Sequence, residues 1–97
     1  MIENSAIKVS AIVSTYNSEA FIRGCLEDLI SQTLYKKGLL EIIIINSGSQ
    51  QNEDAIVKAY ISEYSNITYI KTENREGIYS AWNRGAKAAK GKYLTNA

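Results

Sequence analysis

Three stretches of this chain concentrate hydroxyl and amide side chains: Ser14 to Ser18, Asn46 to Gln51 and Thr72 to Gly77. Groups of this kind can hydrogen-bond a nucleobase or a ribose. The chain has no histidine, which removes Ser-His-Asp and Cys-His nucleophile systems and histidine-based metal sites. Any chemistry must therefore use carboxylates, amides, hydroxyls or cations. Ser14, Thr15, Tyr16, Asn17, Asn46 and Ser47 are the candidate ligand contacts, with Tyr16 able to stack on a base. Asn83 joins them because Asn is a mediocre helix former, so its presence inside a helical stretch points to a side chain wanted for bonding. Arg75 and Arg84 could reach diphosphate oxygens, although an isolated basic residue is more often simply solvated. Neither GxGxxG nor GxxxxGK[ST] occurs, so the usual dinucleotide and P-loop phosphate cradles are missing.

The elements that must hold these residues alternate regularly. Ile7 to Ser14 reads as a β-branched strand covered on both faces. From Glu19 to about Thr33, Phe21, Ile22, Cys25, Leu26, Leu29 and Ile30 fall on one helical stripe, with Asn17 or Ser18 as its cap. Leu40 to Ile45 reads as a central buried strand that ends at the turn formers Asn46-Ser47-Gly48-Ser49. A second helix opens at Asn52 with Glu53 and Asp54 in its first turn and packs Ile56, Val57, Tyr60, Ile61 and Tyr64. Ile67 to Ile70 alternates as a strand. Gly77 introduces a helix carrying Ile78, Ala81, Trp82, Gly85, Ala86 and Ala89 inward, with Gly91 as its C-terminal cap. Trp82 falls on that inward stripe, so it packs rather than stacks on a sugar. Lys92 to Ala97 begins a fourth strand. The pattern predicts an α/β fold, a three-layer α/β/α arrangement on a mostly parallel sheet, with ligands beyond the carboxyl ends of the strands.

Composition sets the outer limits. In 97 residues, with 45% hydrophobic and 22% charged, one marginal core is the ceiling, giving a single domain over residues 1–97. The net charge of +1 is spread without a basic stripe, which argues against a nucleic-acid partner. The single cysteine, Cys25, has no second thiol to pair with, and a reducing compartment fits it best. The longest apolar run, Ile42 to Ile45, is far short of the ~20 residues of a membrane span, and neither a membrane span nor a signal peptide is expected. A cytoplasmic location is expected, with membrane association open for a full-length protein.

Val9-Ser10-Ala11-Ile12-Val13-Ser14-Thr15-Tyr16-Asn17 resembles the opening strand and loop of family 2 glycosyltransferases of the GT-A fold. Ser31-Gln32-Thr33 is similar to the end of that family's first helix. Glu41 to Ser49 resembles its second strand and acidic turn, and Gly77-Ile78-Tyr79-Ser80-Ala81-Trp82-Asn83-Arg84-Gly85 its third helix. The resemblance covers essentially the whole chain. It implies a Rossmann-like half of a GT-A fold and a nucleotide-diphosphate-sugar donor, with a UDP-sugar favoured, held at Thr15-Tyr16-Asn17 and Asn46-Ser47. It also implies Mg²⁺ or Mn²⁺ on the diphosphate, bound by an Asp-x-Asp motif that follows the strand after Gly91. This chain ends at Asn96-Ala97 before any such motif, so no residue in it is expected to bind the metal or act as catalytic base. Asp is usual in the family where Asn46 stands, and also commonly where Arg75 and Ser80 stand. A carboxylate can only accept the N3–H of uracil, whereas an Asn carboxamide can accept or donate, which leaves base choice open.

These readings describe the N-terminal, nucleotide-gripping fragment of a sugar-transferring enzyme, inactive by itself. The alternative is a complete non-catalytic nucleotide-binding or interaction module. A receiver-type regulator fits poorly, because it needs acidic strand ends where this chain has Ser14 and Asn46. An exposed sheet edge would also invite self-association.

Overall fold

The computed structural model of the chain describes residues 7–16, 19–48, 53–74 and 77–96. The elements run β1 (Val9–Thr15), α1 (Glu19–Ile30), α2 (Thr33–Lys36), β2 (Leu40–Ser47), α3 (Glu53–Glu63), β3 (Ile67–Thr72), α4 (Ile78–Ala88) and β4 (Tyr93–Asn96). The four strands form one sheet in the order β3-β2-β1-β4, and every pair is parallel. The predicted three-layer α/β/α architecture is thus present, with an entirely parallel sheet.

Alternation along the strands divides the core in two. Ala11, Val13, Leu40, Ile42 and Ile44 point to one face, where Ile22, Leu26 and Leu29 of α1 and Val57 and Tyr60 of α3 cover them. Ile12, Ile43 and Ile45 point to the other, where Ala81 packs and Trp82 and Ala86 lie alongside. Ile42 to Ile45 are all fully buried, which is why β2 reads as an unbroken apolar run. Each such isoleucine contributes about 1.5–3 kcal/mol on burial, so the centre of β2 anchors both layers. On the α4 face small residues permit a close approach: a Cβ on Gly85 would come within 2.6 Å of Ile12 Cγ2.

The chain connections explain this layering. β1 to β2 and β2 to β3 step in one direction across the sheet, through α1 and α3, and a right-handed crossover puts both helices on the same face. The β3 to β4 connection steps back past β2 and β1, so α4 lies on the opposite face. The connections change direction between β1 and β4. β4 forms an outer edge, on which Tyr93 and Leu94 are exposed.

Several boundaries differ from the sequence reading. α1 stops at Ile30, and a separate short helix, α2, follows; its Tyr35 hydroxyl donates to the Ser65 carbonyl at 2.6 Å. β2 runs on through Asn46 and Ser47 because both its neighbours supply ladder partners there: Thr15 on β1 for Asn46, and Lys71 and Thr72 on β3 for Asn46 and Ser47. The turn is made instead at Gly48, whose φ of 63° lies in the left-handed region. Ile61, expected to pack, is exposed. The expected caps Asn17, Ser18 and Asn52 lie outside the described residues.

Gly91 is not the cap of α4, which ends in an extended Ala89. It is needed for proximity. A Cβ there would meet Ser10 Oγ at 2.6 Å and the Val9 carbonyl carbon at 2.8 Å. The Gly91 N–H donates to Ser10 Oγ at 2.8 Å, and Ser10 Oγ donates to Glu41 Oε2 at 2.6 Å. The Lys90 N–H also donates to that carboxylate. Glu41, only 5% exposed at the start of β2, thereby ties β1, β2 and the approach to β4 together.

These contacts separate two glycines by urea unfolding. Gly91→Ala should lower stability by about 1–3 kcal/mol through overpacking against backbone. Gly24→Ala, on α1 with open space around it, should raise stability by about 0.5–1 kcal/mol.

Candidate functional site

At the carboxyl ends of β1, β2 and β3 the apolar core gives way to polar residues, and strand register decides which of them meet. Thr15 stands opposite Asn46, Asn46 opposite Lys71, and Ser47 opposite Thr72. The pleat puts Thr15, Asn46, Tyr69 and Lys71 on the α3 side. Ser14, Ser47 and Thr72 fall on the α4 side.

On the α3 side the polar groups are chained together. Thr15, 2% exposed, donates its hydroxyl proton to the carboxylate of Glu53, which is fully buried in the first turn of α3. The partial positive charge of the α3 N-terminus favours a carboxylate at that point. Asn46, 1% exposed, donates from Nδ2 to the Tyr69 hydroxyl at 2.8 Å. Tyr69 in turn donates to Asp54 Oδ1, and Lys71 Nζ lies 2.8 Å from Asp54 Oδ2.

The charges follow from these partners. The Lys71 ammonium and then the Tyr69 hydroxyl hold the Asp54 carboxyl below its usual range. Burial, and then donation to Asp54, push the Tyr69 phenol up to about 12. At neutral pH the array is an ionised Asp54 beside a protonated Tyr69.

On the α4 side Ser47 is 4% exposed, and its Oγ has no hydrogen-bond partner among the described residues. Thr72 Oγ1 donates to the Asn74 carbonyl at 2.9 Å, with the Asn46 carbonyl 3.4 Å away. Ser14 and Tyr16 are half-buried at the end of β1.

The structure therefore brings Thr15, Asn46 and Ser47 to one end of the sheet, with Ser14 and Tyr16 beside them. Asn83 is exposed midway along α4, and no described contact joins it to the strand ends. Asn17 and Arg75 lie outside the described residues. Trp82 packs against the core cluster under α4, as its spacing predicted. Sequence reasoning missed Tyr69, Lys71 and the bonding roles of Glu53 and Asp54. Their only sequence signal is acidic residues opening a helix after a polar strand end, and pairing them needs the β2–β3 register.

A groove of about 550 Å³ lies elsewhere, along the surface of α1 between Ala20 and Gln32, with half-exposed Phe21 on its wall. Its lining includes Cys25, whose thiol is pushed up by burial and by Asp28. No residue at the strand ends contributes to this groove, so the polar strand ends and not the groove define the candidate site.

Residues 10–97 match the family model of Glycosyl transferase family 2, and the chain belongs to that family. It is 42% identical over 91 residues to an uncharacterized glycosyltransferase, YibD, of Escherichia coli K12, covering 94% of this chain and 25% of that protein. A putative glycosyltransferase of Bacillus subtilis, EpsH, is 37% identical over 86 residues, covering 89% of this chain and 24% of that one. Among solved structures, Staphylococcus aureus TarS 1–349 superposes with a TM-score of 0.84 at 28% identity, covering 94% of this chain and 27% of its own. TarS has been solved with UDP and with UDP-GlcNAc. The mannosyltransferase PcManGT of Pyrobaculum calidifontis, solved with GDP-Man and Mn²⁺, superposes with a TM-score of 0.82 at 25% identity, covering 92% of this chain and 27% of its own. The chain spans about a quarter of the length of these relatives. The fold is that of the GT-A glycosyltransferases.

The family implies a divalent metal, but among the described residues no group of three or more His, Cys, Asp or Glu side chains stands together to hold one. Asp54 is committed to Lys71 and Tyr69, and Glu53 receives Thr15. The carboxylates described here do not fit a metal site. No described helix is long and apolar enough to cross a membrane.

The Asp54–Tyr69 array sets a pH window for stability. Asp54 has a lowered folded value, so its contribution is present above the ordinary carboxylate pKa of about 4 and is lost as pH falls through the folded value. Tyr69 has a raised one, so its contribution is complete below about pH 10 and is lost as pH climbs through about 12. Lys71→Met should flatten the acid limb of stability against pH, by under about 1 kcal/mol for so exposed a pair. Tyr69→Phe should flatten the alkaline limb and remove a phenolate that titrates near pH 12 from the ultraviolet titration.

Proposed function

We propose that this chain supplies the nucleotide-binding half of a glycosyltransferase that moves a sugar from a nucleotide-diphosphate donor, with a uridine nucleotide preferred. The observation that carries this reading is the Ser47 hydroxyl, which is buried at the carboxyl end of β2 with no partner among the described residues. A buried hydroxyl left unbonded is costly, so its persistence beside Asn46 is best accounted for by a ligand that completes it. Family membership gives that ligand a class, and the nucleotides bound by TarS and PcManGT, two structures of the same fold, agree with it. Asn46, Ser47, Ser14 and Tyr16 are the proposed contacts. Thr15 supports them from below through Glu53, and Asn17 and Asn83 complete the proposed set. Mg²⁺ or Mn²⁺ and the acceptor would be handled by residues outside those described here, so the chain alone is proposed to be inactive.

Two measurements test this. UDP titrated into the chain should bind with Kd on the order of millimolar, about −4 kcal/mol, and Mn²⁺ should tighten it little. The same preparation should show no sugar transfer from any nucleotide sugar in the presence of Mn²⁺. A large metal-dependent gain in calorimetry, or turnover above a protein-free blank, would refute the division of labour. Ser47→Ala separates a ligand role from a structural one. It should leave stability unchanged or slightly higher, because it removes an unsatisfied group, yet weaken UDP by about 1 kcal/mol. Equal binding by the variant would return Ser47 to a purely structural role.

A further inference from the structure

All four strands run parallel, so their amino ends share one rim, opposite the candidate site. Segments far apart in sequence meet there. The Lys8 N–H donates to the Leu39 carbonyl at 2.8 Å, and the Tyr93 N–H donates to the Lys8 carbonyl at 2.8 Å. Because each helix brings the chain back to this rim, lysines gather on it. Lys8 precedes β1, Lys36 and Lys37 stand at the end of α2 before β2, Lys87 lies in the last turn of α4, and Lys90 and Lys92 lead into β4. These six are over half of the chain's 11 basic residues, and all six are exposed. Acidic groups on the same side are fewer: Glu27 and Asp28 toward the end of α1 and Glu63 at the end of α3, with Glu41 buried. Glu27 accepts the Tyr60 hydroxyl proton, and none of the six lysines has an ion-pair partner among the described residues. Lys36 and Lys87 also offset the negative ends of their helices, a role that Lys8 and Lys92 at strand starts do not have. Charge that is scattered along the sequence is thus collected at one end by the fold.

We propose that this rim is a docking surface for the anionic headgroups of a lipid bilayer. A lysine held near a negatively charged membrane surface adds attraction without needing a fixed geometry. All six cations are lysines, point charges suited to a diffuse anionic surface, whereas a bidentate grip on individual phosphates comes from arginine. The apolar residues of the rim favour the same partner. Leu34 of α2 is exposed and is held beside the strand starts by the Leu39 N–H, which donates to its carbonyl at 2.9 Å. Tyr93 and Leu94, the first residues of β4, are exposed too, and Lys92 Nζ lies 5.9 Å from the Tyr93 ring centroid. A basic surface that carries leucine and tyrosine can bury them at the headgroup boundary while its ammonium groups stay among the phosphates. A nucleic-acid backbone offers those leucines nothing. Docked in this way, the carboxyl ends of the strands face away from the bilayer, open to a water-soluble donor. The proposal does not depend on the nucleotide reading of that site.

The test is co-sedimentation of the chain with vesicles of phosphatidylcholine alone and of equal parts phosphatidylcholine and phosphatidylglycerol, repeated at rising salt. The chain should bind the anionic vesicles and not the neutral ones, and salt should weaken the binding. Lys37→Gln and Lys92→Gln should each lower the partition coefficient about fivefold, and together about 25-fold, the worth of one lysine apiece near such a surface. Lys58 is exposed midway along α3, so Lys58→Gln makes the same charge change away from the rim and should lower binding less than about twofold. Leu34→Ser with Leu94→Ser should weaken vesicle binding at unchanged charge. Should that double variant not fold, Leu34→Ser alone carries the comparison. Equal losses for Lys58→Gln and Lys37→Gln would mean that net charge alone matters and would overturn the docking surface, as would a wild type that does not bind anionic vesicles. A chain that binds polyadenylate more tightly than the vesicles, with the serine changes affecting neither, is a general polyanion binder, and the lipid assignment fails.

Discussion

β2 has a strand on each side and helices over each face, so a polar atom buried along it is costly unless a protein group or a ligand bonds it. Its middle meets this condition by having none to satisfy, since Ile42 to Ile45 offer only backbone groups, and the ladders to β1 and β3 take those. Its ends meet it with dedicated polar partners. Glu41 at one end receives Ser10 and the Lys90 N–H, and Asn46 at the other donates to Tyr69. Both ends reach across strands, which fixes the neighbours in register as well as satisfying β2.

The two polar ends do different work. At the Glu41 end the contacts are short and closed, and Gly91 is required because any side chain would displace the backbone of β1. That end positions β4 beside β1, and so fixes the place at which the chain connections change direction. At the Asn46 end the polar groups are unevenly satisfied. On the α3 side Thr15 donates to Glu53, and Asn46 donates to Tyr69, which donates to Asp54, while on the α4 side Ser47 is buried without a described partner. A sheet held firmly at one end and left chemically open at the other is the arrangement expected of an open parallel sheet that binds beyond its strand ends.

The Asn46 array also shows how a buried neutral side chain is oriented by charges that lie further out. Lys71 keeps Asp54 ionised, Asp54 takes the Tyr69 proton, and Tyr69 leaves Asn46 one way to turn. The negative charge of the array sits two hydrogen bonds out from Asn46, on Asp54 of α3, paired with a lysine at the surface.

The amino-acid sequence by itself determined the alternation of strands and helices, because burial on both faces demands continuous apolar runs and burial of one helix face demands a stripe. It determined that Trp82, Tyr60 and Tyr64 pack, since their spacing leaves them no other side. It also located Asn46 and Ser47 at a strand end and assigned the family through short segments matched in order. It could not end β2 correctly, since Asn-Ser-Gly-Ser is turn chemistry locally and only the ladders on both sides carry the strand through Ser47. It misread Gly91 for a related reason: a helix cap is a local event, whereas contact with Ser10 spans most of the chain. The partners of Thr15 and Asn46 were likewise decided only by tertiary structure. Glu53, Asp54, Tyr69 and Lys71 come to them from α3 and β3, and which proton each oxygen holds depends on register and burial that no single segment carries.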